Sequence, residues 1–254
     1  MTTAIAREHE FFAVDSKWSL SSAPKLELVD HPIKKYVYSE QGESLTLFAG
    51  DELPILLYQA KQLNLISSER FISLISRAAS CGSEVEQLTL DASDGEFLSK
   101  PPYYIGRVAY LGSGGEFAAL FNHSSRTEPS YKLTDTCCVE RALNFAYLKD
   151  EMFSGGNVNK KIWQAPTFDN TIDTETSAYK SLLLERLRTL IMLIGTPAEA
   201  IELAAAKKGV VPPLRTSPAG SVTKVSVSAA VDFLSEQQEI REKLLRKRLA
   251  KVNC

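Results

Sequence analysis

Cysteine is scarce in this 254-residue chain, and Cys81, Cys137, Cys138 and Cys254 lack the spacing of a zinc knuckle or a C-x-x-C redox pair. Free thiols are expected. On a helix the adjacent Cys137 and Cys138 point about 100° apart, so that one can be buried as a small hydrophobe. Histidine is scarcer still: His9, His31 and His123 stand alone, with no HExxH, no HxH and no cysteine ligand nearby, which excludes a sequence-local metal site. No cofactor is expected. Long apolar runs are missing too. The most apolar stretch, Leu182–Ile194, carries Glu185, Arg186 and Arg188, and is too short and too charged to span a bilayer. The first ten residues contain no continuous apolar segment of the secretory kind. A cytoplasmic, membrane-free protein is the expectation.

With 13 glycines and 11 prolines, 44% hydrophobic and 24% charged residues, the composition excludes collagen-like, low-complexity and wholly disordered chains. Net charge is −2, from 29 basic and 31 acidic side chains, and supplies no global attraction to polyanions. Its distribution is uneven. Residues 1–169 hold 16 basic and 22 acidic residues, and residues 170–254 hold 13 and 9.

The pattern predicts an α+β fold: a small, mainly antiparallel sheet with a helical hairpin, followed by a mainly helical C-terminal region. Residues 1–24 read as an N-terminal arm, 25–169 as a mixed α+β domain and 170–254 as a helical region ending in an amphipathic helix. In the arm, Phe11, Phe12 and Trp18 lack a sustained period and are anchors for which a second copy, a partner or the chain's own core is the receiving surface. Short strands are expected between Leu26 and Leu47. Asp51 with Pro54 opens one helix, Ser67 or Ser68 caps a second, and Gly82 stops it.

Tyr103–Leu111 and Glu116–Phe121, split by Gly112-Ser-Gly-Gly115, read as a β-hairpin. Asp135 or Thr136 caps a helix that ends near Gly155, and 160–173 is an irregular connector before which strand content ends. Ser177 precedes a helix to Ile194. Thr196-Pro-Ala-Glu199 gives three agreeing helix-start signals. Residues 210–221 form a linker, 222–228 a short strand, and 229–252 a long amphipathic helix.

Catalytic constellations are not recognisable. Gly112–Gly115 lacks the phosphate-loop lysine and the GxGxxG spacing, and Ser113 is not in GxSxG. The pairs Glu8/Glu10 and Asp91/Asp94 have no evident apolar pocket to split their acidities. The terminal helix offers more. Ile240, Leu244 and Leu249 form a stripe, flanked by Arg241, Lys243, Arg246, Lys247, Arg248 and Lys251.

Three functions follow as expectations. The first is a non-catalytic assembly protein, a subunit or adaptor that docks on a protein partner or a second copy through Phe11, Phe12, Trp18, Ile240, Leu244 and Leu249. The second is a nucleic-acid-associated protein using the six cations. A helix-turn-helix at 202–210 fails for want of a recognition helix, and a ribbon-helix-helix needs a break near Glu236. The third is an enzyme whose site near the 103–121 hairpin unites His123, Tyr103 or Tyr104, and Ser113.

Overall fold

Ala4, Ile5 and Ala6 follow one another without a polar residue and become a strand covered on both faces. That strand, β1 (Ala4–Arg7), pairs antiparallel with β2 (Phe11–Asp15) in the register Ala4↔Val14 to Arg7↔Phe11. In this computed structural model, which describes residues 2–20, 23–27, 32–127, 135–151, 153–194 and 225–252, both strands lie inside a five-stranded sheet. The other members are β8 (Tyr103–Ile105), β9 (Val108–Leu111) and β10 (Val158–Ile162), in the order β10-β2-β1-β9-β8. A short pair, β3 (Ser19–Leu20) and β4 (Ala23–Glu27), leads on to a second antiparallel sheet of β5 (Tyr36–Tyr38), β6 (Ser44–Gly50) and β7 (Val85–Asp91).

Alternation along each strand builds the layers. Ala4, Ala6, Phe12 and Val14 of the first sheet pack on Tyr36, Leu45, Leu47, Ala49, Leu88 and Leu90 of the second. The opposite side chains of the first sheet, Ile5, Phe11 and Ala13, meet Ala118, Ala119, Val139, Leu143 and Ala146 of α3 (Gly115–Thr127) and α4 (Asp135–Lys149). Val37, Phe48 and Val85 of the second sheet carry the remaining core. It is closed by α1 (Glu52–Gln62), α2 (Ser68–Ser80), α5 (Ser177–Ile194) and α6 (Val227–Val252). Helices thus cover both outer faces of two stacked sheets, an α+β fold with antiparallel sheets, a helical hairpin and C-terminal helices.

The hairpin forms as its caps demand: the Ser67 side chain accepts from the Arg70 N–H, and Gly82 leaves the second helix with φ +73°. Asp51 stands at the head of α1, but its carboxylate accepts from the Glu84 N–H at 2.9 Å instead of capping. Cys138 is the buried thiol, against Ser125 Oγ at 2.8 Å, and Cys81 is exposed.

Several expectations are corrected. Residues 4–15 are inner strands and not a docking arm, because with both faces covered they carry no polar alternation. The hairpin turns at Gly106, and Glu116–Phe121 is the first half of α3. Strand content continues to β10, whose Lys160 reaches Glu140 and whose Lys161 lies over Tyr38 and Trp163. Residues 225–226 are irregular and Val227 already begins α6. That helix runs unbroken past Glu236, which removes the ribbon-helix-helix. The Thr196–Glu199 junction and the 202–210 segment fall outside the described residues. Among the described residues, no helix is long and apolar enough to cross a membrane.

Candidate active site

The head of β1 is where the polar groups of this core converge. Beyond the Ala4↔Val14 pair, Asp15 N donates to Thr3 O at 3.0 Å, so the two strands stay joined up to Thr3. Asp15 is fully buried, and its Oδ1 accepts from Lys35 Nζ at 2.9 Å, a pair with 0% and 1% side-chain exposure. Gly155 N donates to its Oδ2 at 3.2 Å. Lys35 also donates to Lys17 O, and its ammonium stands 5.3 Å from the centre of the Trp18 ring. Trp18 in turn donates from Nε1 to Ile33 O at 3.1 Å, which ties the ring to the segment leading into Lys35. Burial pushes the Asp15 carboxyl up, against the charge and hydrogen bond of Lys35 and bonds from the Thr3 and Gly155 backbone.

A second polar chain closes the other side of the strand head. Thr3 Oγ1 donates to Ser154 Oγ at 2.5 Å, Ser154 Oγ donates to Asp150 Oδ2 at 2.9 Å, and Ser113 Oγ donates to the same oxygen. Ser113 lies in the turn Gly112–Gly115, which opens α3. Gly112 has φ +74°, and a Cβ there would stand 1.9 Å from Thr2 O and 3.1 Å from Ala49 Cβ. Only glycine lets this turn close on Thr2. Thr2 itself is buried, and among the described residues its Oγ1 has no hydrogen-bond partner.

The residues singled out from sequence are placed elsewhere. Phe11, Phe12 and Trp18 are buried in three parts of the chain's own core. Ile240 and Leu244 are buried as well, and Leu249 is 56% exposed. Phe233 of α6 inserts against Tyr58 and Phe71, with ring centres 4.6 and 5.7 Å apart, so this helix docks on its own globule. Its cations are largely matched by acids: Lys243 meets Glu96 at 2.6 Å, Arg246 meets Glu242 at 3.6 Å, Arg248 meets Glu43, and Arg241 acts on Glu40. The Lys251 side chain lies outside the described residues. His123 packs on Gly106, Tyr103 stacks on Tyr110, and Ser113 bonds Asp150, so these do not share a site.

Asp91, Asp94 and Glu96 bring carboxylate oxygens within 4.8 Å of one another, with the geometry of a cation cluster. The cation is Lys247, whose Nζ donates to them at 2.6, 2.7 and 3.2 Å. Burial opposes the charge on Lys247, but these bonds outweigh it and raise its pKa. Burial likewise pushes Asp91 up, and bonds from Lys247 and Ser93 hold it below the usual range; Lys243 does the same for Glu96. Lys247→Ala is therefore expected to cost about 1.5–3 kcal/mol at pH 7. Since Asp91 and Glu96 are lowered in the fold, that contribution is complete above their ordinary values and is lost as pH falls through the lowered ones. Urea melts of the two proteins at pH 7 and pH 3 measure it: the gap should be smaller at pH 3 than at pH 7.

No protein-family model matches the chain, and no curated protein matches it. Among solved structures it is similar to BPH of Thiobacillus denitrificans in complex with epoxomicin, at 14% identity, covering 64% of this chain and 97% of that one, with a TM-score of 0.42. It is also similar to HslV from Trypanosoma brucei, at 14% identity, 63% and 98% coverage and a TM-score of 0.40. BPH of Thiobacillus denitrificans described on its own gives 12% identity, 64% and 97% coverage and 0.39.

The expectation of a non-catalytic adaptor docking through its terminal anchors is corrected by where those anchors lie in the fold. Phe11, Phe12, Trp18, Ile240 and Leu244 are buried within the chain and only Leu249 of the six stays exposed, and a buried constellation of hydroxyls, carboxylates and a lysine exists where sequence reasoning found none. Thr2, Asp15 and Lys35 escaped it because no short motif joins them. The available signal was a charged residue placed directly after an apolar β run: Asp15 after Phe11–Val14, and Lys35 before Tyr36–Tyr38.

Proposed function

We propose that this chain is an amide-bond hydrolase whose nucleophile is the hydroxyl of Thr2 and whose base is the α-amine of the same residue. The observation that carries the reading is the buried, unpartnered Thr2 Oγ1 at the head of β1, next to a strand end that holds a fully buried Lys35–Asp15 pair. A threonine hydroxyl is a weak nucleophile until an adjacent base takes its proton, and an N-terminal amine is one such base. The reading therefore requires the peptide bond before Thr2 to be cut. The reading assigns to Lys35, whose Nζ bonds Asp15 Oδ1, the role of lowering the cost of negative charge on Oγ1. The chain Thr3–Ser154–Asp150–Ser113 anchors the residue that directly follows the nucleophile.

In this mechanism the Thr2 hydroxyl proton passes to the α-amine as Oγ1 bonds to the amide carbon. The resulting ammonium protonates the departing nitrogen, the C–N bond breaks, and an ester remains on Thr2. Water then gives a proton to the amine and attacks the ester carbon, and as the bond from that carbon to Oγ1 breaks the ammonium returns the proton to Oγ1, which releases the carboxylic acid and restores the hydroxyl and the free amine.

The test uses protein whose mass shows loss of Met1 and an alkyne-bearing β-lactone, an electrophile that acylates activated hydroxyls. Peptide mapping should find the adduct on Thr2. Thr2→Ala should lower the rate by at least ~100-fold, and Thr2→Ser should keep most of it. Labelling that maps elsewhere, or that survives Thr2→Ala, would falsify the reading.

A further inference from the structure

Along β7 the side chains that face the first sheet are Glu86, Leu88 and Leu90, and the last two belong to the inter-sheet core. Glu86 sits opposite Ala49 in the ladder, on the face where leucine would be buried without cost, and it is 5% exposed. A carboxylate at such a position is expensive unless bonded. It is bonded to the other sheet: Glu86 Oε2 accepts from Gly112 N at 2.7 Å, and the Tyr103 side chain bonds the same carboxyl. Gly112 is the residue whose absent Cβ makes room for Thr2 O, and Ala49 touches the same spot. Glu86, Ala49, Gly112 and Thr2 thus form one continuous contact between the two sheets.

We infer that Glu86 is a positioning residue of the Thr2 site: its ionised carboxylate holds the Gly112 N–H and so sets the turn against which Thr2 is seated. This rests on the reading of Thr2 as the nucleophile only where reactivity is concerned. The groups that face Glu86 are Tyr103 on β8, Tyr110 on β9, Glu84 ahead of β7, and, around the adjoining cavity, Lys100, Tyr58 and Glu236. Burial and Glu84 push its carboxyl up, against the bonds from Gly112 and Tyr103. Protonation replaces an ionic acceptor with a weaker neutral one, and the turn loosens.

Two readouts on wild type, Glu86→Gln and Glu86→Leu test this. In amide NMR, the Gly112 and Thr3 N–H signals of the wild type should titrate together with a midpoint above the ordinary glutamate value, and Glu86→Gln should lack that titration. In β-lactone labelling, the logarithm of the rate should fall with unit slope below the amine pKa. It should steepen through the Glu86 midpoint in wild type, where the rate falls to that of Glu86→Gln, while Glu86→Gln keeps unit slope throughout.

Glu86→Leu should label about tenfold to a hundredfold more slowly, and Glu86→Gln, which like the protonated acid keeps only a neutral acceptor for Gly112, should recover part of that loss. If Glu86→Leu does not fold, the glutamine variant carries the test alone. A Thr3 signal that ignores the Gly112 titration, or a glutamine variant with the wild-type steepening, overturns the inference. A shared titration in a protein that never labels at Thr2 sinks the hydrolase reading and leaves the Glu86 coupling standing.

Discussion

Lys35→Met is expected to destabilise the protein by about 3–5 kcal/mol near neutral pH, because it strands a buried carboxylate. Asp15 has no access to water, and without Lys35 it keeps only backbone partners, Gly155 among them. The cheapest relief is to take up a proton. Burial already raises the Asp15 carboxyl in the fold, so the folded form binds that proton more tightly than the unfolded chain does. The sign follows: the variant is most stable below the ordinary aspartate range and loses stability as pH rises through the raised folded value. Urea melts at pH 5 and pH 7.5 should show the variant closer to wild type at the lower pH. Adding Asp15→Asn removes the stranded charge and should restore most of the stability at pH 7.5, while labelling of Thr2 stays lost. A single variant as stable as wild type at pH 7.5 would mean that the pair is not buried as described.

Gly112→Ala should separate backbone strain from the seating of Thr2 when it is compared with Gly82→Ala. The two glycines have nearly the same left-handed conformation, φ +74° and +73°, so each substitution carries the same conformational cost of about 1 kcal/mol. Their surroundings differ. Nothing lies within 4 Å of a Cβ at Gly82, whereas one at Gly112 would stand 1.9 Å from the Thr2 carbonyl. That oxygen is backbone and cannot rotate away, so β1 or the turn must move. An additional loss of about 1–3 kcal/mol is expected at Gly112, with labelling slowed at least ~100-fold. Gly82→Ala should label like wild type. Thermal melts and labelling rates on the pair check both parts, and equal effects at the two sites would remove the contact from the account.

The helices were largely readable because their ends carry local chemistry. Ser67 and Gly82 mark α2, Ser177 stands at the head of α5, and the apolar residues Phe233, Ile240 and Leu244 recur along α6 at helical spacing. The strands at the centre were not. Ala4–Arg7 and Phe11–Asp15 are buried on both faces, so they lose the polar alternation by which a half-exposed strand is recognised. Glu116–Phe121 is a short apolar run that fits either period, and only its position after Gly115 makes it the start of a helix. In α6, Phe233 packs on Tyr58 and Phe71 of the same chain, and of the stripe Ile240 and Leu244 are buried while Leu249 is exposed.

The candidate site was the least legible part, for a physical reason. Asp15, Lys35, Glu86, Gly112 and Asp150 come from five separate segments, and only the stacking of two sheets brings them to the head of one strand. Single residues within it gave hints, such as charges set against apolar β runs. Nothing in their spacing says that they meet.

The central claim is that Thr2 acts as nucleophile and base together, which makes a free α-amine indispensable. The most direct measurement compares two preparations of the same protein, one with the Met1–Thr2 bond cut and one with it intact, for β-lactone acylation at Thr2. The account predicts rapid acylation only after cleavage, with a rate that follows the titration of one amine near pH 7.7–8.0 or below. Equal acylation of both preparations would contradict it.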